Sequence, residues 1–212
     1  MNRAGGVILD VDGTLVDSEE LGTRVLVELA AQHGLALPLK QTNLQFRGWK
    51  LHDCLAQIEQ WLGHPLPPGT DVQVRQRTAE VFRRQLKAMP GALELVRGLK
   101  LPMCVASSGP REKIELTLGL TGLLPYFEGR IFSGYELNTW KPAPDLFLHA
   151  ARALGVAPAD CVVVEDSPVG VQAGLAAGMR VYAYQPGEVD PNLPKDVPLL
   201  RHLPDLLGLL AA

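Results

Sequence analysis

Five short apolar runs frame the chain: Val7-Ile8-Leu9, Met103-Cys104-Val105-Ala106, Ile131-Phe132, Cys161-Val162-Val163-Val164 and Val181-Tyr182-Ala183. Runs of this length, apolar throughout rather than alternating, suit parallel strands covered on both faces. Between the later ones lie helical segments at Pro110–Leu118, Pro144–Leu154 and Pro168–Ala177. Each opens on a proline and closes at or near a glycine (Gly119, Gly155, Gly178), as helix boundaries do. The βαβα order predicts an α/β fold with a doubly wound parallel sheet.

One interval breaks this rhythm. A parallel crossover needs only a dozen or more residues, yet about ninety separate Leu9 from Met103. Inside it, Leu21, Val25 and Leu29 recur at helical spacing, as do Leu51, Leu55, Ile58 and Leu62. Thr70–Leu86 continues in the same style after a turn-rich break at Gly63–Gly69. No strand-like run falls there. The expectation is an all-helical subdomain at residues 18–86, inserted into a core made of residues 1–17 and 87–212. An insertion after the first strand sits beside the carboxyl ends of the strands, where open α/β sheets bind ligands. It is placed to act as a lid.

Composition narrows the class of partner. Hydrophobic residues make up 47% and charged residues 20%, as in an ordinary globular protein. A net charge of −3 without any basic run excludes general attraction to nucleic acid. Cys54, Cys104 and Cys161 are far apart, show no CxxC spacing, and read as buried thiols in a reducing compartment. Asp10 and Asp12 interrupt the apolar stretch near the N-terminus, so no secretion signal is read there. The leucine-rich tail Leu199–Ala212 carries Arg201 and Asp205 and is too short to span a bilayer. It reads as a closing helix, and the protein as cytoplasmic with no membrane partner.

Polar residues end the predicted strands. Asp10 and Asp12 close the first, and residues i and i+2 share a strand face, so both carboxylates can turn to one site. One can attack phosphorus while the other protonates the leaving alcohol and later activates water. A calcium loop beginning at Asp10 would want glycine at Leu15 and glutamate at Leu21, and both fail. Ser107 and Ser108 precede Gly109-Pro110 and a helix start, which suits a phosphate cradle or a simple cap. Lys141 stands in the rigid Trp140-Lys141-Pro142 loop, where it is a surface lysine or a fixed ammonium for a phosphate. Glu165 and Asp166 end a wholly apolar strand and so call for a cation. Four acids against one lysine, facing a phosphate, favour a hard divalent metal, and magnesium suits few carboxylates plus phosphate and water. Gly170, Gly174 and Gly178 recur every four residues and read as close helix packing.

Taken in order, these segments resemble the haloacid dehalogenase superfamily across nearly the whole chain. The first motif is Asp10-Val-Asp12-Gly13-Thr14-Leu-Val-Asp17-Ser18, followed by Ser107, Lys141 and Glu165-Asp166. The resemblance implies a Rossmann-like core and a helical cap of the phosphoglycolate phosphatase and β-phosphoglucomutase type. It implies Asp10 as nucleophile and metal ligand, forming an aspartyl-phosphate. Asp12 would be the acid/base, its backbone carbonyl a further ligand. Ser107 and Lys141 would hold phosphoryl oxygens, and Asp166 would ligate Mg²⁺ with Glu165 in support. Asp12 stands where true dehalogenases lack an acid. Gly22 stands where β-phosphoglucomutases carry a cap histidine, which weighs against a phosphomutase. Leu101–Pro110, Phe132–Lys141 and Phe46-Arg47-Gly48-Trp49-Lys50 are similar to bacterial sugar-phosphate phosphatases active on 6-phosphogluconate. Arg47 and Lys50 are the cap residues that could meet a substrate carboxylate. The expectation is a phosphatase acting on a small phosphate monoester; the rivals are a phosphomutase and a non-catalytic phosphometabolite-binding module.

Overall fold

The computed structural model describes residues 4–211. Strand β1 (Gly6–Leu9) leads directly into four helices, α1 (Glu19–Gln32), α2 (Leu39–Phe46), α3 (Leu51–Leu62) and α4 (Thr70–Gln85). Helix α5 (Ala92–Gly98) returns the chain to the sheet, where β2 (Met103–Ser107), α6 (Arg111–Leu120), β3 (Ile131–Ser133), α7 (Gly134–Leu137) and α8 (Asp145–Leu154) follow. The chain closes with β4 (Cys161–Glu165), α9 (Pro168–Ala176), β5 (Arg180–Tyr184), β6 (Leu199–Leu200) and α10 (Asp205–Ala211).

The strands form one six-stranded parallel sheet in the order β3-β2-β1-β4-β5-β6. Their apolar runs split by period 2 between two cores, as the pleat requires. Val7, Leu9, Val105, Val162 and Val164 face α5, α6 and α10, with Leu95, Ile114 and Leu206 packed on them. Ile8, Cys104, Ala106, Cys161 and Val163 face α8 and α9, meeting Phe147, Ala150 and Val171. Two buried faces explain why these strands read as unbroken apolar runs.

The tail differs from expectation. Leu199-Leu200 forms the sixth strand, pairing Leu200 with Tyr184, and the closing helix begins only at Asp205. Pro198 and Pro204 explain the break, because proline cannot continue a helix through its own position but suits a helix start. Among the described residues, no helix is long and apolar enough to cross a membrane.

Helices α1–α4 close on a third apolar cluster of their own, built from Val25, Leu29, Phe46, Leu55, Ile58 and Val81. They form the inserted helical subdomain over the carboxyl end of the sheet. The two chain crossings into it run side by side: Asp17 N–H donates to Lys87 O and Met89 N–H to Leu15 O, each at 2.9 Å.

Candidate active site

Strand register brings the acids together. Leu9 lies opposite Val164, and Asp10 N–H donates to Val164 O at 3.0 Å. Asp10 and the Glu165-Asp166 pair therefore leave neighbouring strands side by side. On the other flank Leu9 pairs with Val105, so Ser107, two residues on, ends β2 beside Asp10.

Lys141, in the loop between α7 and α8, is buried among these carboxylates. Its ammonium donates to Asp10 Oδ1 and, at 2.6 Å, to Glu165 Oε1. Burial alone would lower the lysine, but Asp10 and Glu165 hold its pKa above the ordinary range. The second Glu165 oxygen accepts from Ser167 N–H at 2.7 Å and Ser167 Oγ at 2.9 Å. Helix α9 can start this close because Gly170 has no side chain: a Cβ there would lie 1.8 Å from Glu165 Oε1.

One oxygen from each of Asp10, Glu165 and Asp166 lies within 4.8 Å of the others, and all three residues are buried. Burial raises Asp10 well above the usual carboxylate range; Lys141 opposes this, and Glu165 and Asp12 add to it. Asp166 is raised likewise, by burial first and then by Glu165, Glu19 and Asp10. Its Oδ2 is buried without a hydrogen-bond partner, and the nearest opposite charge is Arg47 Nε at 3.5 Å. Gly13, at φ +75°, makes room, since a Cβ there would stand 2.3 Å from that oxygen. Crowded, buried, hard oxygen donors with one left unsatisfied fit a divalent cation.

Asp12 has a different setting. Its Oδ1 accepts from Ser18 Oγ at 2.6 Å and pairs with Lys113 Nζ at 2.9 Å. Burial would raise this carboxyl, but Lys113 and the Ser18 hydroxyl outweigh it and hold the pKa below the ordinary range. Its Oδ2 lies towards Gly109, where a Cβ would approach to 3.8 Å. Ser107 Oγ accepts from Gly109 N–H at 3.0 Å, and Ser108 Oγ is buried without a partner. These groups stand just before the N-terminus of α6, where anions are favoured.

Asp10, Asp12, Ser107, Ser108, Lys141, Glu165 and Asp166 all line one cleft of about 130 Å³, and the cap adds Trp49, Lys50 and Arg75. Arg47 is not brought to this cleft; it lines a neighbouring one on the far side of Asp166. Sequence reasoning quoted Ser18 in the first motif without giving it a role, and missed Glu19, Lys113, Arg75 and Tyr135. Ser18 ends the first motif, Glu19 directly follows it, and Lys113 lies in the first turn after the Ser107 loop, so position alone was a signal for them. Arg75 sits in a helix that also carries Arg77, Arg83 and Arg84, and nothing in the sequence sets it apart.

Residues 5–178 match the family model described as haloacid dehalogenase-like hydrolase. The 6-phosphogluconate phosphatase of Escherichia coli K12 is 37% identical over 185 residues, covering 87% of this chain and 84% of that protein. A haloacid dehalogenase-like protein of unknown function from Agrobacterium tumefaciens C58 superposes with a TM-score of 0.84 at 29% identity, covering 98% of both chains. A hydrolase of Deinococcus radiodurans R1, solved with bound phosphate and sodium, gives 0.71 at 30% identity, covering 99% of this chain and 89% of that one.

Proposed function

The chain belongs to the haloacid dehalogenase-like hydrolases, and from that premise we propose that it is a Mg²⁺-dependent phosphatase of small sugar phosphates working through an aspartyl-phosphate on Asp10. The observation that carries this reading is the convergence of three strand-end carboxylates, with Lys141 donating to Asp10.

Asp10 and Asp166 would hold the Mg²⁺, with the backbone carbonyl of Asp12 as a further ligand and Glu165 in support. Bound there, the ion offsets the repulsion between an anionic nucleophile and an anionic phosphate. The Asp10 carboxylate attacks phosphorus as the bond to the leaving oxygen breaks, and Asp12 gives that oxygen its proton. Asp12 then takes a proton from water as the water displaces Asp10, and inorganic phosphate is released. Asp12 is ionised in the free protein because Lys113 and Ser18 stabilise its charge. A phosphate dianion entering beside it raises that pKa by like-charge repulsion, which favours the acid form when the proton is needed. Ser107, Ser108 and Lys141 hold the phosphoryl oxygens. The unpartnered Ser108 hydroxyl is a donor free for that use.

Residues 18–86 act in this reading as one cap that closes over the cleft and excludes water. The substrate placed first is 6-phosphogluconate. Support comes from the resembling stretches around Ser107, Lys141 and the cap loop, and from the E. coli relative of that name, which is matched over most of both chains. Lys50 faces the cleft, whereas Arg47 stands against Asp166.

The test is phosphate release across a panel of sugar phosphates with and without Mg²⁺. Turnover is expected only with the metal, and Asp10→Asn should reduce it to background while the fold is kept, since an amide cannot form the acyl phosphate. Wild type should gain the mass of one phosphoryl group in a rapid quench. Substantial turnover by Asp10→Asn would sink the covalent mechanism.

A further inference from the structure

The cleft holds four cationic side chains, Lys50, Arg75, Lys113 and Lys141. The two from the core are engaged by acids: Lys113 by Asp12, and Lys141 by Asp10 and Glu165. The two from the cap are not. Among the described residues, no carboxylate lies within ion-pair reach of Lys50 or Arg75.

Aromatic rings hold them instead. Tyr135 and Trp140 of the core meet edge to face with centroids 5.6 Å apart. The Arg75 guanidinium lies over Tyr135 at 5.4 Å and donates to its phenol oxygen at 3.1 Å, while Lys50 Nζ stands 3.8 Å over Trp140. A cation over a ring face is attracted by the ring quadrupole yet keeps most of its N–H groups free. Arginine has five such donors in a planar fork that matches a carboxylate, and only one is used here. The proposed phosphoryl seat, Ser107, Ser108 and Lys141, is on the core, and Lys50 and Arg75 reach the same cleft from the cap.

We propose that Arg75, seated on Tyr135 and aided by Lys50 on Trp140, is the specificity residue that reads a carboxylate at the leaving-group end of the substrate. This rests on the phosphatase reading above and refines it. The substrate class is then a phosphate monoester carrying a carboxylate in its leaving group. A neutral sugar phosphate leaves both cap cations without a counter-charge.

The experiment compares kcat/KM for 6-phosphogluconate, glucose 6-phosphate and fructose 1,6-bisphosphate with Mg²⁺ present. Wild type should prefer the carboxylated sugar over the neutral one by at least about tenfold. Arg75→Ala should reduce that ratio below about threefold, chiefly through KM for 6-phosphogluconate, and Arg75→Lys should restore part of it. Arg47→Ala should change both sugars in proportion and keep the ratio. The ratio within one preparation cancels any loss of folded protein. Equal losses on both sugars in Arg75→Ala, or a collapse of the ratio in Arg47→Ala instead, would overturn the assignment. Preference for the bisphosphate would remove the carboxylate while keeping an anion reader. No preference in an active wild type would remove the reader and leave the phosphatase standing; no turnover of any sugar would remove both.

Discussion

Glu19 lies at the start of α1 on the wall of the cleft, and burial, with Asp12 next, pushes its pKa from about 4.5 up to about 7; Lys113 and Arg47 oppose the shift. A carboxyl raised in the folded state contributes stability that is full below its unfolded pKa and lost as pH rises through the folded one. In metal-free protein, Glu19→Gln should therefore match wild type near pH 4 and melt at a higher temperature than wild type above about pH 7. Thermal melts in chelator across that range test it, and a pH-independent difference would contradict the shift. Asp10, Asp12, Glu165 and Asp166 were legible in the sequence because charge ending an apolar strand needs a purpose. Glu19 was not, because a glutamate opening an amphipathic helix is ordinary and only the fold covers it. The direction taken by Arg47 was equally hidden. Spacing placed it in the cap loop, but which cleft it enters depends on how the loop after α2 meets the start of α9, where a Cβ at Gly48 would lie 2.6 Å from Val169.

The start of α9 shows how closely an element must approach to build this site. Gly170 faces Glu165, and a Cβ at Gly174 would lie 2.7 Å from Val181 Cγ2, while Gly178 has a positive φ and open space around it. The four-residue glycine repeat thus joins two close contacts to a turn. Alanine would add about 1 kcal/mol of helix propensity at either contact, against an overpacking cost of typically 1–3 kcal/mol. At Gly170 the overlap is with a carboxylate pinned by Lys141 and Ser167. Gly170→Ala should therefore lower stability and also raise the Mg²⁺ concentration needed for half-maximal activity. Gly174→Ala should lower stability with a far smaller effect on the metal requirement. Denaturant melts and Mg²⁺ titrations of the two variants separate these outcomes, and matching metal curves would refute the role given to Gly170. Elements with one clear period or an unbroken apolar run were legible in this way. The two-residue β6 was not: Leu199-Leu200 is too short to carry a period, and only its place beside β5 makes it a strand.

At the scale of the whole molecule, three apolar clusters divide the protein, two around the sheet and one inside the cap. The insertion was readable from the long gap between strands one and two, whereas the way its inner face meets Tyr135 and Trp140 was not, since it depends on contacts far apart in the chain. The cap has its own core and is joined to the sheet by two adjacent crossings, so it can open at less cost than global unfolding. The three cysteines are divided in the same way: Cys54 lies in the cap cluster, and Cys104 and Cys161 lie in the sheet cluster under α8 and α9. All are buried and free. Burial, with Glu19 and Asp53 adding to it, pushes the Cys54 thiol up to about 12, and burial raises the two sheet thiols also. A thiol reagent attacks the thiolate and needs access to it, so each sulfur reacts only when its own region opens. Native protein mixed with excess Ellman's reagent should release one chromophore equivalent in an early phase and two in a much slower one. Mg²⁺ with beryllofluoride, bound under the closed cap, should slow the early phase. A single phase for all three would mean that cap and sheet open together. The cysteines lie apart from the strand-end carboxylates, yet they give the molecule two internal clocks: one sulfur times the opening of the cap's own core, and two time the loss of the fold beneath it.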